Sequence, residues 1–253
     1  MTPPATDDLG HQVELTRPAR RVVSLVPSLT EAIAATRPEA LVGATDWCTH
    51  PADLDVPRVR GTKNPDRRAI AEIRPDLVLA NREENRALDV RRLREDGIAV
   101  WVTVIETVDE AFASMERMFT EALGWDVPEW LDQARAVWAE PAPESGRRVA
   151  IPIWRDPWMV VGGRTFTGDL AGRLGLINAF SDGDERYPKV DLADIDSPDV
   201  DLVLLPDEPY VFTADDGPEA FAHTPTRLVS GRSLTWYGPS MLTARAELES
   251  TLD

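Results

Sequence analysis

Two short passages of this chain each occur twice, and that doubling narrows the folds open to it. Arg20-Arg21-Val22-Val23-Ser24-Leu25-Val26-Pro27 is echoed by Arg147-Arg148-Val149-Ala150-Ile151-Pro152-Ile153-Trp154. Arg74-Pro75-Asp76-Leu77-Val78-Leu79 is echoed by Ser197-Pro198-Asp199-Val200-Asp201-Leu202-Val203-Leu204. The first pair is 127 residues apart (Arg20 to Arg147) and the second 123 (Pro75 to Pro198). Offsets so close predict two α/β lobes in tandem, with a crevice between them of the kind that small molecules occupy. A length of 253 residues leaves room for both.

The local patterns agree. Val22 to Val26 is a compact apolar run, read as a buried strand, and Pro27 ends it. Ser28-Leu29-Thr30-Glu31 has capping-box spacing, so a helix is expected to start there. Leu41-Val42-Gly43-Ala44, Leu77 to Ala80 and Ile98 to Val104 read as further strands. Asn64-Pro65 is expected to open a helix, with Asn as the cap, and Leu88 to Glu95 reads helical up to Gly97. Strands alternating with helices predict a parallel sheet. In the middle, Thr107-Val108-Asp109-Glu110 opens a helix running to Gly124, and Asp126-Val127-Pro128-Glu129 opens a second. The second half restarts at Val149 to Trp154, continues with a helix near 168–174 and a strand at 203–205, and ends in a helix near 239–252. The expected layout is a polar leader with a short edge strand at 1–20 and an N-terminal lobe at 21–106. A helical bridge at 107–145 and a C-terminal lobe at 146–253 follow.

Composition excludes several classes. The formal net charge is −17, which repels phosphate backbones and anionic lipid. No nucleic-acid partner and no membrane insertion are expected. The single cysteine, Cys48, permits no internal disulfide and no multi-cysteine metal site. No GxGxxG, GxxxxGK[ST] or GxSxG motif is present, so a bound nucleotide or an α/β-hydrolase nucleophile is unsupported. No cofactor is expected. Residues 1–20 hold no basic stretch followed by an apolar run, so as written the chain reads as cytoplasmic. A truncated or misassigned N-terminus would make it extracytoplasmic.

The segment Arg21 to Glu31, with Leu41-Val42-Gly43-Ala44, Arg74 to Leu79 and the helix-rich middle, resembles the class III solute-binding proteins. These have a helical backbone and serve ABC importers of cobalamin, ferric siderophores and haem. The cobalamin-binding branch is the most similar. The resemblance implies two α/β lobes with mainly parallel sheets, joined by a long backbone helix, with the ligand in the cleft between lobes. It also implies that aromatic loop residues hold the ligand. Trp47 falls where the cobalamin branch places an aromatic residue. Ser28, Cys48, Thr62, Lys63, Asn81 and Arg82 are the other first-lobe candidates; Trp154, Arg155, Trp158, Tyr187, Glu208, Tyr210, Trp236 and Tyr237 are those of the second. Arg68 stands where the family has an acidic importer-docking residue, which argues against docking on an importer.

The residues read alone fit a flat ligand. Eight Trp against three Tyr and six Phe is a tilt toward large, rigid contact faces. Trp47, Trp154, Trp158 and Trp236 fall in expected loops after strands, where open α/β sheets bind ligands. Trp101, Trp130 and Trp138 read as core. The bland alternative is that the loop indoles only plug the lobe interface. His50 is a candidate axial ligand to a bound metal, or a loop hydrogen-bonder; otherwise no metal site is expected. Arg155-Asp156 and Asp207-Glu208 either bond polar groups of a ligand or form an ion pair between lobes. The reading is a monomeric, non-catalytic binder of a corrinoid or another metal chelate. Two alternatives are an enzyme of corrinoid or metal-chelate metabolism, using Cys48, His50 or Asp207, and a protein-interaction module with a degenerate cleft.

Overall fold

A computed structural model describes residues 5–15 and 17–252. The chain divides into two compact units. The first takes the chain up to Ile105, with Glu110–Asp132 and Tyr237–Pro239; the second takes Glu106–Asp109, Gln133–Trp236 and the chain from Ser240.

The first unit is built on four parallel strands, β1 (Val22–Ser24), β2 (Leu41–Ala44), β3 (Leu77–Asn81) and β4 (Val100–Thr103), in the order β2-β1-β3-β4. All five residues of β3 are buried, as are all four of β4. That explains the uninterrupted apolar runs: both sheet faces are covered, so neither needs polar alternation. Val78, Ala80, Val100 and Val102 pack with Ile70 of α2 (Arg67–Ile73) and with Val90 and Leu93 of α3 (Ala87–Glu95).

The second unit repeats the plan. Its strands β5 (Arg148–Ala150), β6 (Ile177–Asn178), β7 (Leu202–Pro206) and β8 (Thr226–Val229) are parallel and ordered β6-β5-β7-β8. Chain order and spatial order therefore match the first sheet strand for strand. The entrances of the two sheets match as well. The Asp76 carboxylate accepts the amides of Arg20 (2.8 Å) and Arg21 (3.0 Å), while the Arg21 guanidinium donates to the Arg74 carbonyl at 3.2 Å. The Asp201 carboxylate accepts the Arg148 amide at 2.7 Å, and the Arg148 guanidinium donates to the Asp199 carbonyl at 2.9 Å. Each clamp ties the start of one strand to the start of its neighbour.

This corrects the sequence pairing by two residues. The counterpart of Asp76 is Asp201, not Asp199, because Leu77 lies beside Val22 and Leu202 beside Val149. Two expected helix starts also move. The helix after β1 is α1 (Pro27–Thr36), capped at Val26 with no side-chain bond, so the Ser28 box is not formed. Pro27, whose ring favours a helical φ, starts the helix two residues earlier than that box would. Asn64-Pro65 lies in a small antiparallel hairpin with Arg60–Gly61. Asp66 caps α2 instead, accepting the Ala69 amide at 3.1 Å.

The stretch before β1 is tied down. Gln12–Val13 pairs antiparallel with Ala5–Thr6. Buried Asp7 accepts from Arg94 at 2.6 Å and from the Val102 amide at 3.3 Å. The middle of the chain carries α4 (Val108–Arg117), which runs on through a wider π-type turn at Met118–Leu123, and α5 (Glu129–Val137). Gly124 closes the first run at φ +66°, a region favourable to glycine, and a Cβ there would lie 2.9 Å from the Arg17 Cβ. Trp101 and Trp138 are fully buried, and Trp130 donates to the Thr36 hydroxyl at 3.0 Å. The second unit also carries α6 (Phe166–Arg173), a one-turn helix at Leu192–Ile195, α7 (Gly231–Thr235) and α8 (Met241–Leu252). No helix among the described residues is long and apolar enough to cross a membrane.

Candidate functional site

In both units the sequence-nominated residues gather at the carboxyl ends of the parallel strands. This is the edge where α/β sheets of this kind bind ligands.

In the first unit a buried polar network joins four of them. Asn81, at the end of β3, donates to the Thr103 hydroxyl at 3.0 Å. Its amide donates to the Asn85 side chain at 2.9 Å. Asn85 donates in turn to the carbonyls of Leu25 (3.3 Å) and Thr62 (2.9 Å). Tyr237 sits in the same place. Burial pushes its phenol up and nearby Glu84 adds to that, while the hydroxyls of Ser28 and Thr103 oppose it. Burial likewise raises the Glu84 carboxyl, against the attraction of Lys63. Ser28, Thr62, Asn81 and Tyr237 are all nearly inaccessible, so they shape the floor beneath any contact surface.

The accessible part is Trp47, which is 66% exposed. A Cβ at Gly61 would lie only 3.3 Å from the Trp47 Nε1, so glycine at 61 lets the indole lie close over the 60–65 hairpin. Lys63, also exposed, donates its amine to the Glu83 carbonyl, and Arg82 is exposed beyond β3. His50 is partly exposed, its Nδ1 3.1 Å from the Thr49 hydroxyl. Among the described residues no group of three or more His, Cys, Asp and Glu could hold a metal ion.

Cys48 needs correction as a contact residue. Its side chain has no exposure, and the Thr30 and Thr45 hydroxyls lie 2.9 and 3.1 Å from the sulfur. Burial pushes the thiol up. A thiol held neutral and enclosed is neither a ligand contact nor a nucleophile.

In the second unit Trp154 is 45% exposed, at the end of a short strand paired with Met159–Val160. Its ring meets Tyr210 edge-on, with centroids 5.5 Å apart. The Tyr210 hydroxyl donates to Asp216 at 2.7 Å, and Arg155 binds both Asp216 and Glu219. The hydrogen bond from Tyr210 holds the Asp216 carboxyl below the usual range, and that from Arg155 does the same for Glu219. Arg155 therefore forms these ion pairs within its own unit. Asp207 accepts the Gly231 amide at 2.6 Å and so anchors the start of α7. Glu208 lies against that start, its Cγ 2.3 Å from where a Gly231 Cβ would be.

Trp158 and Trp236 need correction as exposed walls. Trp158 stacks on Phe212 (6.0 Å, 4°) and meets Phe221 edge-on, inside the core of its unit. Trp236 is only 6% exposed, under the Arg232 guanidinium at 5.9 Å. Tyr187 is partly buried. Val211, which follows Tyr210 in the chain, is 62% exposed. Sequence reasoning passed over Val211, Asp216 and Glu219. The Asp215-Asp216-Gly217 turn resembles any solvated acidic loop, and only its bonds to Arg155 and Tyr210 give it a structural role.

No family model matches the chain. It is 23% identical over 208 residues to the vitamin B12-binding protein of Vibrio cholerae, covering 78% of this chain and 71% of that protein. Among solved structures it resembles the periplasmic vitamin B12-binding protein of Vibrio cholerae. The TM-score there is 0.72 at 19% identity, over 93% of this chain and 97% of that one. It also resembles a periplasmic haem-binding protein from Roseiflexus sp. RS-1 in its apo form. There the TM-score is 0.74 at 19% identity, over 93% and 100% of the two chains. The chain thus has the fold of the class III solute-binding proteins, the family its sequence resembles.

Proposed function

We propose that this protein binds a corrinoid or a related planar metal chelate, such as haem, and releases it unchanged. The observation that carries the reading is the pair of exposed indoles, Trp47 and Trp154, on strand-end loops of a fold whose relatives bear vitamin B12- and haem-binding names. An indole face offers a flat ligand a large contact area at low entropic cost. Polar groups at the rim, Lys63 and Arg82 in one unit and Glu208 in the other, suit the amide or carboxylate side groups of such a ligand. Cobalamin comes first and haem or a ferric siderophore second.

The enzymatic alternative is weakened by the enclosure of Cys48, one of its three candidate residues, in the core. Service to an ABC importer, outside the cytoplasm, is the fitting role, because the similar solved proteins are described as periplasmic. Docking would have to tolerate Arg68, which is exposed on α2 and paired with Glu72 at 2.9 Å.

The test is retention. The protein is mixed with cyanocobalamin, hemin or a ferric siderophore, passed through a desalting column, and its visible spectrum recorded. Stoichiometric carry-over of one chelate with unaltered absorbance supports the reading. Carry-over of none contradicts it, and conversion of the chelate to a new species supports the enzyme.

A further inference from the structure

The chain carries −17 overall, yet an open groove of about 370 Å³ on the first unit is lined mainly by cations. Arg60 and Lys63 come from the 60–65 hairpin, Arg67 and Arg68 from α2, and Arg86 and Arg92 from the start and the body of α3. Asp66 and Asp89 are the acidic residues of its lining, and Arg68 is paired with Glu72 at 2.9 Å.

The cations differ in how far they are neutralised. Arg67 is held by Asp96 through both Nε (3.0 Å) and Nη2 (2.7 Å). Arg60 lies 3.5 Å from Asp66. Arg86 and Arg92 are exposed and have no carboxylate within ion-pair distance among the described residues. Arg60 also adopts φ +66°, a left-handed conformation that costs a non-glycine residue energy. An arginine is thus placed at a position where glycine would be less strained, on the rim of a groove that is already basic.

We infer that this groove binds a compact multivalent oxyanion, a polyphosphate or the phosphate tail of a small ester. Guanidinium groups match phosphate oxygens with paired hydrogen bonds, and two of the arginines here lack a competing carboxylate. Compactness follows from the rest of the surface. Screening confines the groove's attraction to about 8–10 Å at physiological salt. A ligand inside that range feels the groove, whereas an extended polyanion reaches past it onto acidic surface. The main cations stand apart from the chelate reading, since α2 and α3 lie outside the indole sites; the 60–65 hairpin, with Arg60 and Lys63, borders both.

Calorimetric titration of the intact chain with sodium tripolyphosphate tests it. At low salt one saturable site is expected, weakening at least about tenfold as salt is raised to physiological strength. The double variant Arg86→Glu/Arg92→Glu should lose at least about tenfold in affinity at constant salt. Arg91→Glu, on the same helix but outside the groove, should change it less than about twofold. Circular dichroism confirms that the variants fold; should the double variant not fold, Arg86→Gln takes its place. ATP binding as tightly as tripolyphosphate, or more tightly, supports the site and tells whether a base adds contacts. Absence of saturable binding at low salt, an equal loss in Arg91→Glu, or tighter binding of duplex DNA than of tripolyphosphate would overturn the inference.

Discussion

A sulfur atom with no exposure and two hydroxyl neighbours behaves as a small core group, whatever its reactivity in a peptide. Cys48 should therefore resist thiol reagents in the native protein and react only on unfolding. Stoichiometric labelling by Ellman's reagent within minutes under native conditions would contradict this packing. Asp196 illustrates the opposite balance. Burial would push its carboxyl up, but the amides of Thr224 (2.6 Å), Ala222 (2.9 Å) and His223 (2.9 Å) outweigh that and hold it near about 2. A carboxyl depressed from 3.8 stabilises the folded state fully above 3.8 and loses that contribution as pH falls toward about 2. The urea midpoint of Asp196→Asn should thus lie below that of the wild type at about pH 6, with the gap narrowing by about pH 2. A gap unchanged across that range would show that the three amides do not hold the loop through charge.

At the scale of elements, the paired clamps at the sheet entrances carry the clearest prediction. Asp76→Ala and Asp201→Ala should each destabilise by about 0.5–2 kcal/mol, because the first leaves the Arg20 and Arg21 amides, and the second the Arg148 amide, without their acceptor. Thermal unfolding of both variants checks this, and a loss in only one would show that the clamps are not equivalent. The same strands explain what was legible in the sequence. β3 and β7 are buried throughout, so their apolar runs stand out. β6 has two residues, and β8 shows exposed Arg227 and Leu228, so neither gives a run or an alternation to detect. The helix starts shifted because Pro27 favours the first helical position ahead of Ser28, and Asp66 rather than Asn64 accepts the Ala69 amide. The candidate site was half legible. An exposed indole and a buried one read alike, so Trp47 and Trp154 could not be told from Trp158 and Trp236 until Phe212, Phe221 and Arg232 were placed against the latter pair.

At the scale of the molecule, one four-stranded plan occurs twice, each time with an accessible indole near the carboxyl edge of its sheet. The acidic surface favours solubility and disfavours anionic partners, while the groove lined by Arg60, Arg86 and Arg92 is basic. The central claim is that Trp47 and Trp154 contact a metal chelate. Tryptophan emission followed during titration with cobalamin, hemin and a ferric siderophore tests it most directly, in the wild type and in Trp47→Ala and Trp154→Ala. The account predicts saturable quenching by at least one of them, weakened about tenfold or more in each variant. Quenching that survives both substitutions at full affinity, or none with any of the three, would contradict it.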